Sequence, residues 1–383
     1  VRETPLTVTQ EVPMPKAGAF ARRALRTALL FCLVLGCAPR DPSEPATQGP
    51  PEAQRPAQRA APVAPAPELI GAPPASTSEQ PLPSAADSAA APPPVGPSPA
   101  RAAKLLFPQD EAAARTALER CDGLPDDAIV CLLGEVYASD TDALALAVAL
   151  WQRHRNLAGL EEAYSAVVGW RGAVSFRPAL PIDKQRKHLR WTLAAFDEID
   201  GVLRQLEAQA PLRFRWRGIE LRFFETPERT TPSAYAHGWI VAYNLRGSLM
   251  RNQDAVTLTF FHEIFHLNDA AHGDWSLALE ALHRDIIDGC RPEPGKPPGT
   301  RCLTPYAPGK TKVKGGTYYA FQEGNDVREY AAELATRYYE EQRQAAAGER
   351  VKRPFKCGPR ENAEAWQMLV DAFFGGVDLV PGC

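Results

Sequence analysis

Residues 262–266 read His-Glu-Ile-Phe-His, the spacing of a metal site with its own base. On an α-helix, positions i and i+4 share a face one turn apart, so His262 and His266 can reach one ion. Glu263 lies beside the first histidine, where it can take a proton from a water that the ion activates. Zinc is the expected ion, because it accepts neutral imidazole and carboxylate and lowers the pKa of a bound water to about 7. The flanking Leu258, Phe260, Phe261, Ile264, Phe265 and Leu267 are apolar, as a buried helix over 255–267 requires.

That helix needs a framework. Alanine- and leucine-rich stretches predict helices over 111–120 and 141–153, with Asp140 or Thr141 as a cap for the second. From Asp183 to Ala210, Leu189, Leu193, Phe196, Ile199, Leu203 and Leu206 recur at three- and four-residue steps, one face of a long amphipathic helix. The period then falls to two. Leu212, Phe214 and Trp216 alternate with arginines, and Ile219, Leu221 and Phe223 alternate after Gly218, so two strand pieces are expected with a bulge or turn between them. Ala234–Leu245 is aromatic and β-branched, again strand-like. Helices, then strands, then helices favour an α+β fold.

This order and the H-E-x-x-H helix resemble the zincin metallopeptidases over about residues 183–340. The resemblance implies a zincin-like fold. A helical N-terminal part would precede a small twisted sheet, whose edge strand binds substrate in extended form. The active-site helix and a helical C-terminal part would follow. Downstream, Val327-Arg328-Glu329-Tyr330-Ala331-Ala332-Glu333-Leu334 looks like the third-ligand helix of the gluzincin branch. Carried over, Glu329 binds the metal and Glu333 orients a metal-bound histidine. The rival third ligand is His272, at the metzincin spacing, although Asp269 stands where that branch has a turn-making glycine. A metzincin also needs a later methionine turn, and Met368, the one methionine after the motif, sits in a helical pattern. Tyr318 and Tyr319 are the nearest phenols for stabilising the oxyanion that peptide hydrolysis generates. His237 reads as a strand histidine, and His154, His188 and His283 read as helix-surface residues.

The chain has 383 residues and a net charge of -3, which supplies no basic field for a nucleic-acid partner. Lys16, Arg22, Arg23 and Arg26 precede the short apolar core Ala28–Gly36, the pattern of a secretory signal. Val34-Leu35-Gly36-Cys37 resembles the lipobox of bacterial lipoproteins, which implies acylation at Cys37. Residues 38–100 hold 18 prolines and 16 alanines without one aromatic, so they cannot offset their chain entropy and read as a disordered tether. The expected divisions are a signal with lipobox over 1–37, a linker over 38–100, a helical part over 101–182 and a zincin-like domain over 183–383.

With Cys32 inside the signal and Cys37 lipidated, six cysteines remain, an even number that suits disulfides in an exported chain. Sequence-neighbour pairing, Cys121 with Cys131, Cys290 with Cys302 and Cys357 with Cys383, is the simplest expectation. A cysteine zinc site is the rival, but no C-x-x-C is present. Residues 289–316, closed by the second pair, are expected to wall the cleft.

The leading expectation is an exported zinc peptidase, more specifically an endopeptidase, acting on peptide or protein substrates. It would be tethered to the bacterial outer membrane through Cys37, facing periplasm or surface, or secreted if Cys37 is not acylated. The alternatives are a non-catalytic zinc-binding module of the same fold and a metzincin-type peptidase that uses His272.

Overall fold

A computed structural model describes residues 96–124, 128–167, 173–293, 295–313, 316–323 and 325–383. The signal, the Cys37 lipobox and most of the Pro/Ala linker lie outside them. The described residues form an α+β fold with ten α-helices and a six-stranded mixed sheet. None of these helices is long and apolar enough to cross a membrane.

Four short helices come first: α1 (Pro99–Leu106), α2 (Glu111–Arg120), α3 (Ala128–Val136) and α4 (Thr141–His154). Ser98 caps α1 with proline in its first turn, so the fold begins two residues before the expected end of the linker. Asp140 caps α4 by accepting from Ala143 N–H at 3.0 Å, as expected. Strands β1 (Leu157–Leu160), β2 (Tyr164–Val167) and β3 (Ala173–Pro178) follow. Then come the long helix α5 (Arg186–Glu207), strand β4 (Glu220–Glu225) and the hairpin of β5 (Ala234–His237) and β6 (Ile240–Asn244). Helix α6 (Gln253–Ala271) carries the H-E-x-x-H motif. The chain ends in α7 (Glu280–Gly289), α8 (Thr300–Leu303), α9 (Val327–Ala346) and α10 (Arg360–Phe373).

The strand order is β2-β3-β4-β6-β5. Central β4 pairs in parallel with β6 on one side and with β1 on the other, and β3 continues the β1 side antiparallel at Pro178 and Arg177. The boundary expected at 182/183 thus runs through one sheet and one core, because β1 before it and β4 after it are partners. Along the sheet, Leu221, Phe223, Val241 and Tyr243 face the main core, and Phe224 and Ala242 face a small cluster with Val174 and Phe176. All six apolar positions expected on α5 are buried. They pack the helix against α6, with the Phe196 and Phe260 rings 5.0 Å apart. Phe261 of α6 stacks on Tyr339 of α9 at 4.4 Å.

Three expectations are corrected. Residues 212–217 join no sheet. Arg213 N–H donates to Phe373 C=O at 2.9 Å, and a side chain serves Arg215: Asn268 accepts from its N–H at 2.7 Å and donates to its C=O at 2.8 Å. Ala234–Leu245 is a hairpin, since Gly238 and Trp239 both take positive φ, as a tight two-residue turn requires. His154, His188 and His283 are buried, each against a specific partner: Asp197 at 2.9 Å, the Tyr243 hydroxyl at 2.8 Å and Ala320 C=O at 3.1 Å. An apolar helix face tolerates a histidine that finds such a partner.

The six cysteines pair as neighbours, Cys121–Cys131, Cys290–Cys302 and Cys357–Cys383, with Cα separations of 5.7, 5.4 and 5.5 Å. Three disulfides point to an oxidising, exported environment.

Candidate metal centre

Helix α6 is apolar on most of its circumference, so it runs through the core and presents only a short polar strip. Asn252 caps its start by accepting from Ala255 N–H at 2.8 Å. His262 and His266 lie on that strip with rings nearly perpendicular and centroids 4.8 Å apart. Glu329 faces them from the first turn of α9, three residues after the cap Asp326, where the helix N-terminus favours a carboxylate.

Three donor atoms converge. The Nε2 atoms of His262 and His266 are 3.2 Å apart, and Glu329 Oε2 stands 3.2 Å from the first and 3.6 Å from the second. Ligands about 2.0–2.1 Å from a tetrahedral zinc ion would stand roughly 3.4 Å from one another. Two imidazoles and a carboxylate, pointing at one spot at these separations, fit zinc in both donor chemistry and spacing.

The electrostatics agree. Burial works against the His262 imidazolium, but the carboxylates of Glu329, Glu263 and Glu333 around it raise its pKa to about 9. Burial also pushes the Glu329 carboxyl up, and the two facing imidazoles outweigh it and hold it well below the usual carboxylate range. Glu263 is raised, chiefly by burial, which makes it a better proton acceptor. No hydrogen bond engages its carboxylate among the described residues. Glu333 sits behind the three donors with Oε1 4.0 Å from His262 Nδ1, on the opposite side of the ring from Nε2.

The other candidates divide. Tyr319 lines the cleft, and burial followed by the Glu329 charge raises its phenol, so the hydroxyl stays a donor. Tyr318 turns away and donates to Thr304 Oγ1 at 3.2 Å. His272 is not drawn into the cluster: its Nδ1 meets Asn268 C=O at 2.8 Å and its ring packs on Phe373 at 4.9 Å. Asp269, at the expected glycine position, accepts from Ser276 N–H and Oγ–H, both at 2.7 Å, and so steers the chain into the turn at Trp275–Leu279. Met368 packs against the core.

The cleft, about 500 Å³, runs between strand β5 and the starts of α9 and the Trp275 turn. Ala234, Tyr235, Ala236, His237 and Gly238 form one wall. β5 ends the sheet, so one of its edges is unpaired among the described strands. The Tyr235 hydroxyl donates to buried Glu161 at 2.5 Å and meets the Tyr164 hydroxyl at 2.7 Å, which fixes the strand. The opposite wall includes Arg328, held by Asp326 at 2.7 Å and Asp274 at 3.1 Å. Sequence reasoning missed this wall, because Asp274 and Arg328 approach only through the tertiary fold. Among the described residues, the 289–316 loop, expected as a wall, contributes none to the lining.

Compared with known proteins, the chain matches no family model, no curated protein and no solved structure.

Proposed function

We propose that the chain is a zinc-dependent peptidase, with an endopeptidase the specific reading, and with His262, His266 and Glu329 as metal ligands. The observation that carries this is the convergence of two Nε2 atoms and one carboxylate oxygen at 3.2–3.6 Å beside the unpaired edge of β5. When bound, zinc polarises a carbonyl and makes water nucleophilic at neutral pH.

The chain's own residues supply the rest. An extended peptide adds to β5 as a further strand, so main-chain hydrogen bonds set its register along the cleft. Glu263 accepts a proton from the attacking water and delivers it to the leaving amine. The Tyr319 hydroxyl donates to the developing oxyanion. The Glu333 carboxylate, 4.0 Å from His262 Nδ1, favours the tautomer with its proton on that nitrogen and so leaves Nε2 free for the metal.

Attachment of the exported chain to a bacterial outer membrane through acylated Cys37 belongs to the same proposal, supported by the disulfides and the sequence around Cys37. The test is metal analysis with an unbiased peptide-library digest of wild type and Glu263→Gln. About one zinc in both proteins, with cleavage by wild type alone, is the expected result. Zinc in both without cleavage by either leaves a zinc-binding module and overturns the enzyme reading.

A further inference from the structure

Glu333 faces His262 Nδ1 at 4.0 Å, beyond hydrogen-bond reach, and no hydrogen bond holds its carboxylate among the described residues. Its seat must come from packing, and Gly309 supplies it. The space that a β-carbon at residue 309 would take is already filled by the Glu333 carboxylate, with Cδ 2.5 Å from that point. Gly309 does not adopt positive φ, so its backbone has no need of glycine. The carboxylate is what excludes a side chain there.

The segment bearing Gly309 is pinned where it could otherwise yield. Buried Asn362 donates to Pro305 C=O at 2.9 Å, and Tyr319 N–H donates to Thr311 C=O at 2.9 Å. Upstream, Cys302 is tied to Cys290. Against such a backing, the flexible carboxylate moves before the loop does.

We propose that Gly309 is a positioning residue of the metal centre: by lacking a side chain it seats Glu333 against His262, so the disulfide-closed loop supports zinc binding from behind the site. The inference rests on the zinc reading of His262, His266 and Glu329. It gives the loop a role other than the wall that its length suggested.

The test is zinc affinity of the full chain, measured by chelator competition, for wild type, Gly309→Ala, Glu333→Ala and the double variant. Loss of an outer-shell partner weakens metal binding about 10-fold or more, and that loss is expected in both single variants. The double variant should bind as Glu333→Ala alone, because removing the carboxylate vacates the space the new methyl needs. For the same reason, if Gly309→Ala folds poorly, the metal-free melting temperature should recover in the double variant. Wild-type affinity in Gly309→Ala, or losses that multiply in the double variant, would overturn the proposal. So would a double variant that fails to fold. If the wild type takes up no zinc, the metal reading itself falls, and the inference falls with it.

Discussion

Asn268 and Arg215 hydrogen-bond in both directions, the side-chain amide of one standing in for a strand opposite the backbone of the other. The same amide also donates to Ile264 C=O, so it ties the 212–217 segment to the helix that carries His262 and His266. Asn268→Ala strands a backbone N–H and a C=O in a largely buried setting, at a cost of about 2–4 kcal/mol. Urea denaturation should show a lower midpoint with an unchanged m-value. A shift within error of zero would mean that water replaces the amide without penalty.

Ligand identity separates by substitution. Glu329→Gln should weaken zinc binding by about 100-fold or more, a larger loss than removal of an outer-shell partner gives. His272→Ala should keep zinc, since that ring is occupied with Asn268 and Phe373. The reverse outcome would move the third ligand to His272.

Zinc uptake should depend on pH in a defined sense. The raised pKa of His262, about 9, means the metal-free site holds a proton there at neutral pH. Binding must expel it, so affinity should rise about tenfold per pH unit between pH 6 and 9. Competition titrations at three pH values, with proton release followed in weak buffer, measure the slope. A flat profile contradicts it.

His188 gives the fold its own pH dependence. Burial, with a smaller contribution from Lys187, lowers its pKa from 6.5 to about 4. Between these values the unfolded chain binds the proton and the folded chain does not. Stability is therefore complete above about pH 6.5 and is lost as pH falls toward 4, by up to about 3 kcal/mol. His188→Gln should flatten that part of the stability profile in urea titrations, and an equal slope in both proteins would assign the loss elsewhere.

The two tyrosines should separate under a cleavage assay. Tyr319→Phe is expected to lower kcat by about 10- to 100-fold while zinc stays bound through His262, His266 and Glu329, because the oxyanion loses its donor. Tyr318→Phe, which loses a bond to Thr304, should leave kcat near wild type. Equal effects would argue for packing roles in both.

The sequence disclosed what repeats locally. The apolar face of α5, the H-E-x-x-H spacing on α6 and the Glu329/Glu333 pair on α9 are written at three- and four-residue intervals, so they could be read without coordinates. Neighbouring cysteines paired as simply as possible because short loops close with the least entropy loss. What stayed hidden depends on distant chain. The alternation at 212–217 looks like a strand, but its backbone partners are the Asn268 side chain, 53 residues from Arg215, and Phe373 C=O, which accepts from Arg213 N–H. The three buried histidines meet partners 37 to 55 residues away, and a helical period carries no record of them. Gly309 gave no signal either, since its meaning appears only when Glu333 is beside it.

The parallel pairing of β1 with β4 sets a limit on how the protein can be dissected. A fragment cut at residue 183, where the motif-bearing half seems to begin, would lose the strand that covers one side of β4. It would then offer a raw row of amide and carbonyl groups flanked by Leu221 and Phe223, the kind of surface on which chains stack into aggregates. The smallest piece that can be handled as a soluble unit therefore starts near Ser98. The helices in front of the candidate metal site are part of its scaffold, and they leave no place for a clean cut at residue 183.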